Sequence, residues 1–393
     1  MELSAADLAD SLAELVRIPS VNPLHTGPKA EAAGDLGEAT IAGYLADQFV
    51  GLGASEVILD EAADGRPNVY GIFPGRTDRV VALDVHTDTV TVEHMTEEPF
   101  DGRIEDGFVW GRGALDTKAS MGVMTALLAA WQRAGVRPEP TLLLVGSIAE
   151  EAGGMMGARR FRVWAEERGI EVDQMIIAEP TDFAPIHGHK GAAVVKVTTH
   201  GLAAHTSRPH LGKNAIYAMA KVIAAYEAEH ERLQALTPET ELGNSTITVA
   251  MIEGGTGGNV VPAECTIQVG QRVVPEIDAN DAHLRLMQIA EEASPLPVSF
   301  TDLAPPREDG RRGAQAFYQP SDVALAQDLA RWADTEPTVA PFGTNAFGYD
   351  GFANQKVVFG PGSIDDAHQA TERVAIDDLV KLAEVYTAWL NPA

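Results

Sequence analysis

The chain has 393 residues, of which 57 are acidic and 29 are basic, and its formal net charge is −28. This excess of acidic side chains argues against nucleic-acid and anionic-membrane partners, because both are bound through basic patches. A single cysteine excludes an internal disulfide, no apolar run approaches the roughly 18 residues that cross a bilayer, and the acidic start lacks the apolar stretch of a signal peptide, so we expect a cytoplasmic protein.

Helical and strand patterns alternate over the first 187 residues. Residues 4–18 predict an amphipathic helix capped by Ser4, and residues 37–50 predict a second helix. Three short apolar runs predict buried strands, and helical patterns separate them: strands at 80–85, 141–147 and 174–178, with helices at 117–133 and 155–168. Apolar strands that alternate with helices are typical of a parallel sheet covered on both faces.

The pattern changes from about Gly188 onward. Six elements follow in the order strand, helix, strand, strand, helix, strand: 192–199, 214–236, 245–252, 264–274, 279–293 and 297–303. This order is the ferredoxin-like split motif. A polar link follows at 304–320. After it the alternation of helices and strands seen in the first 187 residues resumes, with a helix at 321–334, a strand at 357–359 and a helix at 376–390. We therefore predict an α/β domain over 1–187 and 305–393, interrupted by an inserted α+β domain over 188–304.

Carboxylates and imidazoles lie just past the predicted strands or in the loops between elements. They are His86, Asp88, Asp116, Glu150, Glu151 and Glu179. Ligand crevices in open α/β sheets form at the carboxyl ends of the strands. Carboxylates packed there repel one another unless protons or cations neutralise them, and imidazole with carboxylate suits zinc. Each residue alone is more simply a solvated loop residue or a helix cap, so only their convergence favours a metal site, which His368 could complete.

The same residues belong to a series of short motifs that follow one another from residue 86 to residue 373. The main ones are His86-Thr-Asp-Thr-Val90, Gly111-Arg-Gly-Ala-Leu-Asp-Thr-Lys118, Glu150-Glu-Ala-Gly-Gly154, Ala178-Glu-Pro-Thr181, Gly201-Leu-Ala-Ala-His205, Gly254-Gly-Thr-Gly-Gly-Asn-Val-Val-Pro262 and Gly360-Pro-Gly-Ser363 with Ala367-His368. This series resembles the M20 dinuclear zinc hydrolases. That family includes acetylornithine deacetylase, succinyl-diaminopimelate desuccinylase, aminoacylases and carboxypeptidases.

The resemblance implies a catalytic domain like that of zinc exopeptidases and two divalent metal ions per chain, zinc first, with cobalt or manganese as alternatives. It implies that one ion is held by His86 and Glu179, the other by Glu151 and His368, and both by the bridging Asp116. It further implies that Glu150 is the general base of a metal-assisted amide hydrolysis and that Asp88 orients the ring of His86.

The inserted domain resembles the lid and dimerisation domain of the family. By that resemblance His205 serves the oxyanion from a partner subunit, which implies a homodimer. Asn259, Arg272 and Lys190 resemble contacts to a substrate carboxylate, although surface ion pairing is an equal alternative for the two cations. Gly343 and Thr344 resemble a loop that lines the acyl pocket.

Within the family the C-terminal segment is most similar to the acetylornithine deacetylase branch, which predicts N-acetylornithine-type deacetylation in amino-acid biosynthesis. Three positions depart from the family pattern without removing a ligand: Thr91, Met95 and Thr117-Lys118-Ala119. The branch also has an acidic residue where this chain has Asn345. A carboxypeptidase or dipeptidase activity and succinyl-diaminopimelate desuccinylase activity therefore stay open, and an inactive binding protein is a remote alternative.

Overall fold

The computed structural model describes residues 3–32, 34, 36–152, 154–304, 306 and 310–393. The chain forms two compact units. The first comprises Met1–His187, Gln319–Thr338 and Thr344–Ala393, and the second comprises Gly188–Tyr318 and Val339–Gly343. The insertion is predicted over 188–304, and the second unit extends past this range to Tyr318. Residues 305 and 307–309 of the predicted link lie outside the described residues.

The helices and strands follow one another along the described residues. The helices are α1 Ala5–Val16, α2 Pro28–Ala32, α3 Ala39–Gly51, α4 Lys118–Ala134, α5 Met156–Glu167, α6 Ala215–Gln234, α7 Ala279–Ala293, α8 Ala324–Ala333 and α9 Ile376–Leu390. The strands are β1 Glu56–Ala63, β2 Arg66–Phe73, β3 Val80–His86, β4 Ile104–Glu105, β5 Phe108–Trp110, β6 Thr141–Ser147, β7 Gln174–Ile177, β8 Ile186–His189, β9 Gly191–His200, β10 Thr246–Gly254, β11 Glu264–Val273, β12 Val298–Asp302, β13 Phe317–Tyr318, β14 Thr338–Ala340, β15 Gln355–Val358 and β16 Arg373–Ala375.

A nine-stranded sheet is the centre of the fold. Its order is β1-β2-β6-β3-β7-β15-β8-β13, with β14 beside β8. The four central strands β6, β3, β7 and β15 are mutually parallel, whereas β1, β2 and β8 pair in the antiparallel sense. In β3 and β6 every residue after the first is buried, because helices cover the parallel centre of such a sheet. The predicted α/β class is confirmed.

Helices α1, α4 and α9 share one apolar core with the central strands. Helix α1 starts as predicted at Ser4, whose side chain accepts from the N–H of Asp7 while Asp7 bonds back to Ser4 in a capping box. Its apolar side, which includes Leu8, Leu12 and Val16, is buried in this core. Among the described residues, none of the helices combines the length and the apolar character needed to cross a bilayer.

The second unit has a four-stranded antiparallel sheet in the order β10-β11-β9-β12. Helices α6 and α7 pack on it and contribute to a separate apolar core that includes the buried Cys265. In chain order the elements run β9, α6, β10, β11, α7, β12. This is the ferredoxin-like arrangement that the sequence predicts.

Candidate metal centre

The carboxyl ends of the parallel strands place three of the candidate ligands, His86, Glu151 and Glu179, at one edge of the central sheet. His86 is the last residue of β3, and it lies opposite Ser147, the last residue of β6. Glu151 follows β6, and Glu179 follows β7 by two residues. Parallel strands end at the same edge, so side chains far apart in the sequence meet there.

Five candidate ligand side chains form two groups that share one carboxylate. His86, Asp116 and Glu179 make one group and Asp116, Glu151 and His368 make the other, with the donor atoms of each group within 4.8 Å of one another. His86 Nε2 lies 3.0 Å from Asp116 Oδ1, and His368 Nε2 lies 3.1 Å from Asp116 Oδ2. The two oxygens of Asp116 therefore face different groups, which is the arrangement a bridging carboxylate needs.

Burial disfavours the ionised form of the carboxylates in this cluster. Burial raises the pKa of Glu150 and of Glu179 well above the ordinary range, and it raises the pKa of Glu151 to about 7. Hydrogen bonds to Asp116 and Glu151 raise the pKa of His368 to about 10. The carboxylates thus require positive charge beside them to stay ionised.

The donor set fits divalent cations. Glu179 Oε1 is buried and has no hydrogen-bond partner among the described residues, although it lies 4.0 Å from His86 Nε2. A buried carboxylate oxygen without a partner is costly unless it binds a cation. Each group offers one imidazole and two carboxylates, a set that zinc, cobalt and manganese accept.

Asp88 contacts the site in two ways. The ring of His86 is held through the main chain, with Nδ1 3.0 Å from the carbonyl oxygen of Asp88 and 3.7 Å from its Oδ1. The carboxylate of Asp88 instead accepts the N–H groups of Glu150 and Glu151, each at 3.1 Å. One buried carboxylate thereby fixes the loop that carries the candidate base and one candidate ligand.

Three residues that the sequence did not single out complete the support of this loop. Asn22 Nδ2 donates to Asp88 Oδ2 and to the carbonyl of Ala152, both at 2.8 Å. The N–H of Ile148 donates to Asn68 Oδ1 at 3.1 Å, and the N–H of Ala149 donates to Glu38 Oε1 at 3.3 Å. Nothing in a single sequence distinguishes a buried Asn or Glu of this kind from an exposed one.

His205 and Asn259 lie on neighbouring loops of the second unit. His205 pairs with Val260 in an isolated bridge, and the N–H of Thr206 donates to the carbonyl of Asn259. His205 Nδ1 accepts the N–H of Ser207 at 3.1 Å, so in the neutral ring the proton is on Nε2. Both side chains are exposed, and the exposed Nε2 of His205 is a donor.

The remaining candidate substrate-binding residues are divided between the two units. Lys190 Nζ donates to the carbonyl of Asn244 at 2.6 Å, and burial and then the charge of Arg272 lower the pKa of Lys190. Arg272 is an exposed residue of β11. Gly343 ends the second unit, and the buried Thr344 of the first unit caps the 3₁₀ helix Asn345–Tyr349 by accepting the N–H of Ala346.

The chain is similar to proteins of known sequence and structure. A family model described as Peptidase family M20/M25/M40 matches residues 82–391. Acetylornithine deacetylase of Myxococcus xanthus is 28% identical over an alignment of 335 positions, which covers 83% of this chain and 84% of the relative. Succinyl-diaminopimelate desuccinylase of Methylocella silvestris is 30% identical over an alignment of 395 positions, which covers 96% of this chain and 96% of the relative. A solved structure of a tripeptidase from Staphylococcus aureus has a TM-score of 0.76 at 21% identity, covers 99% of this chain and 98% of its own, and shows the fold alone.

Proposed function

The chain belongs to peptidase family M20/M25/M40 and is a metal-dependent hydrolase, and from this premise we propose that it hydrolyses the amide bond of a small N-acyl amino acid. The observation that carries the proposal is the shared Asp116, with one oxygen in each of two ligand groups. His86 and Glu179 would hold one divalent ion, Glu151 and His368 the other, and zinc suits both sets. Such ions supply Lewis acidity, which makes water more acidic and stabilises developing negative charge.

Glu150 is proposed as the general base. Its carboxyl group interacts with the charges of His86, Glu151 and Asp116, and its N–H is fixed by Asp88. In this role the carboxylate accepts a proton from the attacking water and then delivers it to the nitrogen of the leaving amine. The acyl group leaves as a carboxylate and the amino acid as a free amine, with no covalent intermediate on the protein.

The second unit is proposed to bind the substrate and a second copy of the chain. The exposed Nε2–H of His205 is suited to donate to the developing oxyanion of a partner subunit, and Lys190, Asn259 and Arg272 are suited to a carboxylate. Gly343 and Thr344 are proposed to line the acyl pocket. We also propose a cytoplasmic location, which the single buried Cys265 suits.

N-acetylornithine-type substrates are the first candidate, supported by the deacetylase relative. Asn345 does not provide a partner for the side-chain amine of such a substrate. It is 1% exposed, and its Nδ2 donates to Asp84 Oδ2 and Ser147 Oγ, each at 3.0 Å. The amine therefore needs another acidic partner. The desuccinylase relative, 30% identical over 96% of the chain, supports N-succinyl-diaminopimelate as the second candidate, with peptides as a further alternative.

Steady-state kinetics with the zinc-loaded protein test the substrate. We expect kcat/KM to be highest for N-acetylornithine among N-acetylornithine, N-succinyl-diaminopimelate, N-acetylmethionine and a glutamyl dipeptide. A value for N-acetylornithine no higher than for N-acetylmethionine would overturn the first candidate. Hydrolysis of none of the four would count against the amide substrate class.

The role of Glu150 is tested in the same assay. Glu150→Gln is expected to lower kcat by about 10²-fold or more, because the amide cannot accept the proton. Metal analysis should still find near two ions per chain, since Glu150 is not among the proposed ligands. The exposed Glu167→Gln on α5 is the matched control and should keep the wild-type rate. A Glu150→Gln protein with the wild-type rate would exclude this base.

A further inference from the structure

A buried ion pair lies beside the metal centre and has no part in the proposed proton transfers. Arg112 and Glu372 are 1% and 2% exposed, and Arg112 Nη1 donates to Glu372 Oε2. They are 260 positions apart and meet because β16 pairs with β5, which places the carbonyl of Glu372 against the N–H of Gly111. Desolvating two charges is expensive, so the contacts that this pair makes need an explanation.

Glu372 fixes the main chain of the shared ligand. Its second oxygen, Oε1, accepts the N–H of Leu115 at 3.1 Å and the N–H of Asp116 at 3.2 Å. A carboxylate that accepts two adjacent N–H groups sets the direction of the chain at that point. The position of the Asp116 side chain therefore depends on Glu372.

Arg112 extends the network toward His368, which belongs with Asp116 and Glu151 to one of the two ligand groups. Its Nη2 donates to the carbonyl of Thr91 at 3.1 Å and lies 3.5 Å from the carbonyl oxygen of His368. The same carbonyl lies 2.8 Å from His94 Nε2, which can only donate there. His368 has a φ of 63°, a left-handed conformation that non-glycine residues adopt at a cost and keep only when neighbours hold them.

We propose that Arg112 and Glu372 are positioning residues that hold Asp116 and His368 in one arrangement, so that the ion bound by Asp116, Glu151 and His368 is bound tightly. This inference rests on the proposed function. The alternative is a pair that only stabilises the fold. The two differ in one measurable respect, because a structural pair would not change one metal-binding step more than the other.

The test replaces both charges at once. Exchanging a buried ion pair for apolar side chains of similar size is often neutral or favourable for stability, so Arg112→Met/Glu372→Leu is expected to fold. Metal-free protein is titrated with Zn²⁺ against a chromophoric chelator, which gives two stepwise dissociation constants. His368→Ala identifies the step that belongs to its ion, and Co²⁺ absorption reports the geometry at that ion.

In the double variant we expect the dissociation constant of the step assigned to the His368 ion to rise by about 10- to 100-fold. The dissociation constant of the other step should change less, and the Co²⁺ absorption spectrum should change. A folded double variant with both constants within about twofold of wild type would overturn the proposal.

If the double variant does not fold, Arg112→Lys decides, because a single ammonium keeps the charge but loses the planar fork. Weakening of the same step supports the proposal, and unchanged constants overturn it. The control is Arg160→Lys. The Arg160 guanidinium forms a two-point contact with Asp60, at 2.8 and 2.9 Å, and neither residue is a proposed metal ligand. This variant should leave both constants unchanged. A wild-type chain that does not bind two Zn²⁺ ions would overturn the proposed function itself, a result distinct from failure of the pair's role.

Discussion

Asp88 has a wider role than its place two residues after His86 suggests. Its main chain holds the ring of His86, and its carboxylate holds the backbone of both Glu150 and Glu151. His86 ends β3, and Glu150 and Glu151 lie in the loop after β6, so a single residue connects the ends of the two strands. This coupling means that a change at Asp88 should affect proton transfer and metal binding together.

Asp88→Asn is expected to lower kcat by about 10- to 100-fold and to weaken metal binding, because the amide nitrogen would face an N–H donor. Steady-state kinetics measure the change in kcat, and zinc titration measures the change in metal affinity. Asn22→Ala is the matched control. It removes one donor to Asp88 and leaves both N–H contacts of the loop, so its effects should be smaller. An Asp88→Asn protein with unchanged kcat would show that the loop keeps its position without this carboxylate.

The residue types of the candidate ligands could be predicted because their chemistry is visible in short motifs. His86, Asp116 and His368 are titratable residues in glycine-rich or strand-end contexts. The supporting residues could not be predicted in the same way. Glu372 acts through its distance to the N–H of Asp116, and that distance depends on the pairing of β16 with β5.

At the scale of elements, the contact between α1 and α4 depends on a missing side chain. Gly122 lies in α4, and a Cβ added there would lie 2.9 Å from Cα of Leu12 in α1. Ser11 Oγ also donates to the carbonyl of Gly122 at 2.9 Å. The two helices can approach this closely only because residue 122 has no side chain.

Gly122→Ala should therefore lower the free energy of unfolding by roughly 1–3 kcal/mol, since the backbone of α1 has to move away. Urea unfolding measures this change. Gly43→Ala in α3 is the control, because a Cβ at that position meets nothing within 4 Å. There the better helix propensity of alanine should raise stability by roughly 0.5–1 kcal/mol. Equal effects at the two positions would contradict the packing argument.

The elements were predictable where the apolar pattern is strong, as in the continuous apolar run of β6 and the helical period of α7, whose bounds are those predicted. The hairpin of β1 and β2 was not predicted. In β1 half-buried and exposed residues mix without a strict alternation, which gives no clear two-residue period. The Asp64-Gly65 turn between the strands, with Gly65 at a φ of 64°, is the local signal that could have revealed it.

For the molecule as a whole, the charge of −28 and the buried acidic cluster act in the same direction. Carboxylates that are packed together without cations favour the unfolded state, in which water solvates them. Bound divalent ions should therefore contribute strongly to the stability of the first unit.

Removing metal with a chelator is expected to lower the unfolding temperature of the first unit. At a free-ion concentration 100 times the Kd, each binding step contributes about 2.7 kcal/mol to stability. Calorimetry of zinc-loaded and chelator-treated protein measures the shift. His86→Ala, which lacks a ligand, should show a smaller shift on treatment. The same midpoint for both forms of the wild type would contradict a stabilising metal centre.

The order in which the ribosome makes the chain separates the two ligand groups in time. His86, Asp116 and Glu179 are all synthesised before the second unit begins, whereas His368 follows it. Both groups nevertheless depend on residues that follow the second unit, because Glu372 accepts the N–H of the shared Asp116. A cut between the second unit and residue 368 would separate His368 from its group and Glu372 from Asp116, so we expect both groups to bind metal more weakly in such a fragment.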